Sequence, residues 1–367
     1  MGAVTVHELT RAEARRIAVR AQLLDAHRPD DLDDVVRGLT ALVHDPTAAV
    51  APAADLVVWS RLGAVHDPAE LATALAEQRL VELRGVIRPL ADVALYRAEM
   101  AAWDRPEPGE PAWRERQRGW VRDNDGFRLD LLERLRADGP LRSRDLPDTS
   151  VRPWRSSGWT NSRNVRQMLA FLVQRGEVAL HGRENGDPLW DLAERVYPDD
   201  VVPAARALRL RDERRLRSLG LVRPAALESP GEPAGEPAVV DGVRGAWRVD
   251  PAQLDRPFAG RTALLSPFDR LVYDRRRMAE LFEFDYQLEM FKPVARRRWG
   301  YFALPVLHGD QLVGKVDATA DRRAGALRVD AVHEDVPFTP AMAAAVDHEI
   351  DDLARWLRLV LVRRDRA

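Results

Sequence analysis

The segment from residue 161 to residue 192 has the pattern of one amphipathic helix followed by a β-hairpin. Its apolar residues recur at helical spacing before Gly176, and Asn185-Gly186 favours a two-residue hairpin turn. Upstream, DGFRLDLLERLRADGPLRSRDLPD (residues 125–148) predicts a helix ending near Gly139 and then a short helix. Three helices followed by a hairpin, in this order, predict a winged helix-turn-helix domain over residues 113–200.

Residues 1–104 show a similar order of elements. Thr10 and Glu13 fit a capping box that opens a helix through about Leu24. A second helix is predicted from Pro29 towards Val43, and a third after the aspartate at position 67. LVELRGVIRPLA (residues 80–91) then alternates like a short hairpin. We therefore predict a first winged-helix domain here.

The remaining boundaries follow from composition. Two proline-rich stretches that share the string PGEPA, residues 105–113 and 227–242, are typical of exposed linkers. Residues 201–258 indicate a third, winged-helix-like unit, and residues 259–367 carry short strands, Gly-Asp turns and a closing amphipathic helix. The predicted fold class is α+β: tandem winged helix-turn-helix domains followed by a C-terminal β-rich, barrel-like domain.

The chain contains no cysteine, which excludes disulfides, thiolate metal sites and cysteine nucleophiles. Of its 56 lysine and arginine residues only Lys292 and Lys315 are lysines, so an amine for a Schiff base has few sources. The N-terminus lacks a signal-peptide core, and the most apolar run is short and interrupted. We expect a cytoplasmic monomer that stays out of membranes and uses no cofactor or metal.

Arginines cluster around the predicted second helix-turn-helix. Residues 152–175 include five arginines and no acidic residue, beside two tryptophans and several hydroxyl or amide side chains. Such groups at a helix start are the ones that grip a DNA backbone, although a solvated charged face is the alternative. A second cluster precedes Trp299, where the alternative is a charged loop beside a buried aromatic ring. The predicted DNA-binding residues are Arg61, Arg152, Arg155, Ser162, Arg163, Arg166, Arg296, Arg297 and Arg298.

The tetrapeptide VHDP occurs twice, at residues 43–46 and 65–68. In the second copy Asp67 is followed by Pro68 and, three residues on, by Glu70. An N-cap aspartate, a proline at the first helical position and an acidic residue in the first turn are typical of a helix start. The second copy is therefore predicted to be structural.

The first copy lacks a clean amphipathic helix after it, and Pro46 biases Asp45 towards an extended backbone. On an extended backbone Val43 and Asp45 share one face, while His44 points to the other. Two interpretations of Asp45 stay open: a carboxylate in a functional pocket, or a second cap.

The residues around the first copy and four strings downstream of it resemble one protein family. They are LVHDPTAAVAPAADLVVWSRLG (residues 42–63), DLAERVYP (191–198), LLSPFDRLVYDR (264–275), LFEFDYQLEMFKP (281–293) and GYFALPVLHGDQLVGKVDATADR (300–322). In this order they resemble the winged-helix crosslink-repair DNA glycosylases of the YcaQ/AlkZ type. The resemblance implies a C-shaped channel for double-stranded DNA and excision of bulky N7-alkylguanines, including interstrand crosslinks.

The family's catalytic motif is glutamine, an apolar residue, then glutamine or aspartate, and this sequence places Val43, His44 and Asp45 there. The carboxylate is kept, the leading glutamine is absent, and histidine replaces the apolar residue. We predict a nucleoid-associated, monofunctional glycosylase in which Asp45 activates water, because N7-alkylated guanine is already cationic and leaves without a general acid. His44 is a second catalytic candidate if the backbone turns it inward.

Two other functions are weighed against this one. A non-catalytic winged-helix protein, a regulator or lesion sensor, would bind DNA with a decayed motif. A metal-dependent hydrolase would use His44, Asp45, His66 and Asp67, but no HxH or HExxH spacing supports it.

Overall fold

The computed structural model describes residues 5–45, 47–106, 109–155, 163–231 and 233–364. The helices are α1 Arg11–Ala21, α2 Leu32–Leu39, α3 Ala53–Leu62, α4 Pro68–Ala76, α5 Ala94–Ala101, α6 Ala112–Asp123, α7 Asp125–Asp138, α8 Asn164–Arg175, α9 Ala193–Val196, α10 Ala204–Leu219, α11 Arg270–Tyr273, α12 Arg275–Phe282 and α13 Pro340–Leu357. The strands are β1 His7–Leu9, β2 Leu42–Val43, β3 Leu80–Leu83, β4 Val86–Pro89, β5 Leu141–Arg142, β6 Val178–Glu184, β7 Asp187–Leu192, β8 Leu221–Val222, β9 Glu236–Val240, β10 Val243–Val249, β11 Thr262–Leu264, β12 Ala303–His308, β13 Gln311–Asp321, β14 Ala326–Glu334 and β15 Val360–Arg363.

The chain folds as two compact units. Unit 1 holds the described residues within Met1–Leu71, Gly85–Ile87 and Arg211–Ala367, and unit 2 holds those within Ala72–Arg84 and Arg88–Leu210. The four predicted segments, 1–104, 113–200, 201–258 and 259–367, do not coincide with this division. Among the described helices, none has the length and apolar character needed to cross a membrane.

Unit 1 is built on two sheets. One has the order β1-β9-β10-β8, with β1 parallel to β9. The other has the order β11-β12-β13-β14-β15 and is antiparallel except for the pair β14 and β15. The predicted C-terminal strands and the closing helix α13 are confirmed. One apolar cluster joins the first sheet to α1 and α12, and a second joins the other sheet to α3 and α13.

Helix α3 was not predicted, and its composition explains why. All ten of its residues, AADLVVWSRL, are buried. A helix that is buried all round has no polar face, so it shows no amphipathic period in the sequence. Pro52 occupies the N-cap position, where the N–H that proline lacks is not needed by the helix.

Unit 2 contains the predicted helix and hairpin of residues 164–192. Helix α8 ends at Gly176, which adopts φ +68°, and β6 and β7 are joined by Asn185 and Gly186, both at positive φ. β5 completes a sheet of order β5-β7-β6. The short helix predicted after Gly139, within the string that ends at Asp148, is wrong, because these residues form β5 followed by a turn and irregular structure. Residues 156–162 lie outside the described part of the chain, so the winged-helix assignment stays a prediction.

The described residues within 201–258 form one long helix, α10, followed by β8, β9 and β10, and the winged-helix-like unit predicted here stays a prediction. One further prediction differs from the structure. The proline-rich stretch 227–242 is not only a linker, because its second half forms β9 and pairs with both β1 and β10. Pro237 is accommodated within this strand near its start.

Candidate active site

Asp45 lies in the connection between β2 and α3 of unit 1. Just before it, β2 pairs with β4 through Leu42 opposite Ile87 and Val43 opposite Val86. The His44 N–H continues the ladder by donating to the Gly85 carbonyl at 3.0 Å. The chain entering Asp45 is therefore fixed by a short sheet.

The Asp45 carboxylate makes one local hydrogen bond. Its Oδ1 accepts the Thr47 N–H at 2.8 Å, and in the second VHDP copy Asp67 Oδ1 accepts the Ala69 N–H at 2.9 Å. Both copies thus form the same aspartate turn, in which the side chain caps the backbone two residues on. The copies differ in setting, because Asp67 is exposed at the start of α4 whereas Asp45 is half-buried. Within the described residues, Asp45 Oδ2 accepts no hydrogen bond.

The chain leaving Asp45 is fastened to the core. The Ala320 N–H of β13 donates to the Ala49 carbonyl at 2.8 Å. Val50 and Ala51 are buried in the cluster that joins α3 to the sheet of β11 to β15. The connection that carries Asp45 is thus held at both ends by unit 1, which preorganises the position of the carboxylate.

Val43 and His44 are half-buried, as Asp45 is. Val43 and Asp45 were predicted to lie on one face of the extended chain and His44 on the other, and burial does not distinguish these faces. The catalytic role of His44 stays a prediction. The two histidines of the VHDP repeats have different surroundings, since His66 is 2% exposed and its Nε2 lies 3.3 Å from Asp55 Oδ1. No group of three His, Asp or Glu side chains arranged to hold a metal occurs in the part of the chain that the structure describes.

Arg61 is not a DNA contact in this structure, which corrects its prediction. Its side chain is 0% exposed and forms an ion pair with Asp269. It also donates from Nε to the Gln22 carbonyl at 3.0 Å and from Nη1 to Ser60 Oγ at 2.8 Å. An arginine in a fully buried helix must be paired with a carboxylate. Recognising α3 as a buried helix would therefore have predicted an internal ion pair for Arg61.

Four of the predicted DNA-binding arginines lie near the start of α8 in unit 2. Arg152, Arg155, Arg163 and Arg166 are exposed, and Arg152 pairs with Asp123 at 2.7 Å. Ser162 lies outside the described residues. Arg163 and Arg166 line a concavity of about 370 Å³ that also includes Arg144 and Asp148.

The sequence prediction missed Asn164, which shapes this region. Asn164 is 8% exposed, its Oδ1 accepts the Trp154 N–H at 2.7 Å, and its Nδ2 donates to Asp148 and Ser150. It therefore ties residues 148–154 to the first turn of α8. Burial opposes ionisation of Asp148, but hydrogen bonds from Ser150 and Asn164 lower its pKa overall. Asparagine is favoured at helix starts, and this preference could have indicated the structural role of Asn164 from the sequence.

The second arginine cluster belongs to unit 1. Arg296 and Arg298 are exposed and Arg297 is half-buried. Arg298 lies 3.0 Å from Asp285, and the Arg297 guanidinium lies over the ring of Tyr301 at 5.0 Å from its centroid. Trp299 is buried, as the charged-loop alternative requires, but the arginines beside it keep exposed surface.

Most of the chain is similar to a known protein family. The family model described as DNA glycosylase AlkZ-like matches residues 36–356. Among solved structures, the DNA glycosylase AlkZ of Streptomyces sahachiroi is similar, with a TM-score of 0.62 and 17% identity over 97% of this chain and 100% of its own. That structural likeness shows a shared α+β fold, and the family match spans both units. The chain therefore belongs to the AlkZ-like family of DNA glycosylases.

Proposed function

We propose that this protein is a monofunctional DNA glycosylase that hydrolyses the N-glycosidic bond of N7-alkylguanine in double-stranded DNA. The observation that carries the proposal is the Asp45 carboxylate, which has one oxygen fixed by the Thr47 N–H; the sequence resemblance aligns this residue with the last position of the family's motif. The other oxygen accepts no hydrogen bond from the described residues, and we infer that it binds the attacking water. The connection that bears Asp45 is held by β4 on one side and β13 on the other.

The chemistry needs little more than this carboxylate. Alkylation at N7 gives the guanine a positive charge, so the C1′–N9 bond breaks with its electron pair moving to the base, which leaves neutral. The sugar develops positive charge at C1′, and the negative charge of Asp45 stabilises it. Asp45 Oδ2 takes a proton from the water whose oxygen attacks C1′, and the product is an abasic site.

Val43 sets a limit on the rate. A glutamine at this position would offer a neutral donor and acceptor to orient the water, whereas valine offers neither. Loss of one positioned hydrogen-bonding group commonly lowers a rate by about 10² to 10³. We therefore expect slow base release rather than the rate of a family member with both polar residues.

Single-turnover release of N7-methylguanine from a labelled duplex, measured both with and without a chelator, tests the proposal. Asp45→Asn is the decisive variant, because asparagine keeps an oxygen to accept the Thr47 N–H but removes the negative charge. Asp67→Asn is the matched control, since Asp67 makes the same turn with Ala69 in an exposed setting. We expect wild type and Asp67→Asn to release base at equal rates and Asp45→Asn to lose at least about 10²-fold.

The same assay separates the alternatives. No release by wild type, together with salt-sensitive binding of the duplex, would support a non-catalytic DNA-binding protein. Release that chelator abolishes would support a metal-dependent hydrolase. Equal loss in Asp45→Asn and Asp67→Asn would show that the turns act through folding alone.

A further inference from the structure

The turn between β13 and β14 carries two exposed arginines, Arg322 and Arg323. Local bonds order this turn, because Asp321 Oδ1 accepts the Ala324 N–H at 3.0 Å and Gly325 adopts φ +64°. The Gly325 carbonyl also accepts a backbone N–H from the first residue of β15 at 2.9 Å. The backbone that bears Arg322 is therefore fixed to the sheet of unit 1.

Arg322 lies against the connection that bears Asp45. Its Nη2 donates to the carbonyl of Val50, five residues after Asp45, at 3.4 Å. Two residues before Arg322, the Ala320 N–H donates to the Ala49 carbonyl at 2.8 Å. Strand β13 and the connection are thus bonded side by side, and the guanidinium of Arg322 lies beside the chain that leads from Asp45 into α3.

The distance from Asp45 to this guanidinium has an upper limit. An extended chain rises at most about 3.6 Å per residue, so the five residues from Asp45 to Val50 span at most about 18 Å. Stacked nucleotides rise about 3.4 Å each along one strand. When Asp45 contacts the sugar of one nucleotide, a phosphate that reaches Arg322 therefore lies within about five base steps of that nucleotide.

The guanidinium of Arg322 is little used by the protein itself. A guanidinium presents five N–H donors, and the bond to Val50 is longer than the usual range of roughly 2.7 to 3.2 Å. Arg322 forms no ion pair with a carboxylate in the part of the chain that the structure describes. Arg61 of α3 differs, because it is fully buried and paired with Asp269. An exposed cation with donors to spare suits an anion that arrives from solution.

A cation at this place meets an electrostatic need of the proposed reaction. Asp45 must approach C1′ of a nucleotide whose strand carries one negative charge per phosphate, and like charges repel. An arginine fixed beside the connection offsets this repulsion by binding one of the phosphates. Arg322 makes no bond to Asp45, so it does not neutralise the carboxylate. Arginine suits the task because its planar fork can bind two phosphate oxygens at once.

We propose that Arg322 binds a phosphate of the strand that carries the alkylated guanine, within about five base steps of that guanine, and thereby holds C1′ against Asp45. The proposal rests on the proposed function, because it assumes alkylated duplex DNA as the ligand. Arg322 acts on the backbone of the substrate and not on the reacting atoms, so it is a substrate-positioning residue. A phosphate contact of this kind is independent of base sequence.

A thermodynamic cycle on binding tests this contact without any base release. The lesion strand carries a 2′-fluoro N7-methylguanine nucleotide, whose fluorine suppresses bond cleavage. Each duplex of a series has one methylphosphonate, an uncharged linkage, at a different position within about five base steps of the lesion. Wild type, Arg322→Ala and Arg244→Ala are compared as full chains. Arg244 is exposed on β10 of the other sheet, and its loss changes the net charge equally.

Arg322→Ala should bind the duplex without methylphosphonate about tenfold or more weakly than wild type, the effect of losing one charge-assisted contact. At one position the methylphosphonate should weaken wild type and Arg244→Ala to the same degree and have no further effect on Arg322→Ala. Effects that add at every position in Arg322→Ala would overturn the proposal. The same cancellation in Arg244→Ala would also overturn it, because net charge would then explain the result.

Single-turnover base release from a cleavable N7-methylguanine duplex, at saturating protein, measures how well C1′ is held. Arg322→Ala should be about tenfold slower than wild type even when all the DNA is bound, because C1′ is placed less closely against Asp45. A rate equal to wild type would overturn the holding role. Cancellation at one phosphate in a protein that releases no base would refute the glycosylase proposal and support the phosphate contact of Arg322.

Discussion

The guanidinium of Arg61 and the carboxylate of Asp269 form an ion pair in which both side chains are 0% exposed. Arg61 comes from the string WSRLG and Asp269 from the string SPFD, so two of the segments that carry the family resemblance meet here. Asp269 Oδ1 also accepts the Leu271 N–H at 2.9 Å and begins α11. The pair connects α3 to the segment that leads into α12, and through α3 it supports the connection that bears Asp45.

The first prediction concerns this pair. Arg61→Met should lower the free energy of unfolding by about 3 to 5 kcal/mol, because it leaves the Asp269 charge buried without a partner. Adding Asp269→Asn removes that charge and keeps an oxygen for the Leu271 N–H, so the double variant should be more stable than Arg61→Met alone. Denaturant unfolding of the three proteins measures both differences.

DNA binding by the same variants checks the assignment of Arg61 to the core. At temperatures where the Arg61→Met protein is folded, its affinity for the duplex should fall with salt concentration as steeply as that of wild type. A stable Arg61→Met protein with a weaker salt dependence would instead identify Arg61 as a phosphate contact.

The second prediction concerns the missing glutamine of the motif. Val43→Gln should raise the single-turnover rate of N7-methylguanine release about tenfold or more, because the amide can orient the attacking water. The site is half-buried, so the longer polar side chain can be accommodated. Val43→Met is the matched control, with similar length and no amide. Equal gains in both variants, or no gain in Val43→Gln, would contradict a role for this position in orienting water.

Local chemistry explains what the sequence could predict. The Thr10 and Glu13 capping box is present at α1, and the Asn185-Gly186 turn joins β6 to β7. Each rests on residues within a few positions of one another. The aspartate turn at Asp45 is also local, because its side chain bonds the backbone two residues on. The same turn occurs at Asp67 in the second VHDP copy.

Long-range contacts explain what the sequence could not predict. The partner of Arg61 lies 208 positions away, and α3 lacks the polar face that would have indicated it. Arg61 was therefore assigned to the surface with the other arginines. Glu289 was likewise missed, because two of the groups it binds are backbone amides of residues that carry no signal for it.

The third prediction concerns pH. Burial opposes ionisation of Glu289, but hydrogen bonds from Lys292, Trp299 and Arg298 outweigh it and lower its pKa below the ordinary value of 4.5. A lowered pKa in the folded state means that the ionised group stabilises the fold above pH 4.5 and that this stabilisation is lost as pH falls through the lower folded value. Glu289→Gln should therefore cost about 1 to 2 kcal/mol at neutral pH and progressively less in acid.

Unfolding of wild type and Glu289→Gln across this pH range measures the difference. Glu8→Gln is the control, because Glu8 is exposed in the same unit. A stability difference that stays constant from neutral to acidic pH would show that Glu289 acts through shape and not through its charge.

The fourth prediction concerns the arginines at the start of α8. Arg163→Ala and Arg166→Ala should each weaken duplex binding to a similar degree for any sequence, since phosphate contacts carry no sequence information. Each should reduce the slope of log affinity against log salt concentration by about 0.9. Arg142→Ala is the control, because its guanidinium already bonds Asp145 at 2.6 Å and Glu184 at 2.8 Å. The slope of the control should match wild type, and an equal reduction in all three variants would mean that net charge alone, rather than position at α8, governs binding.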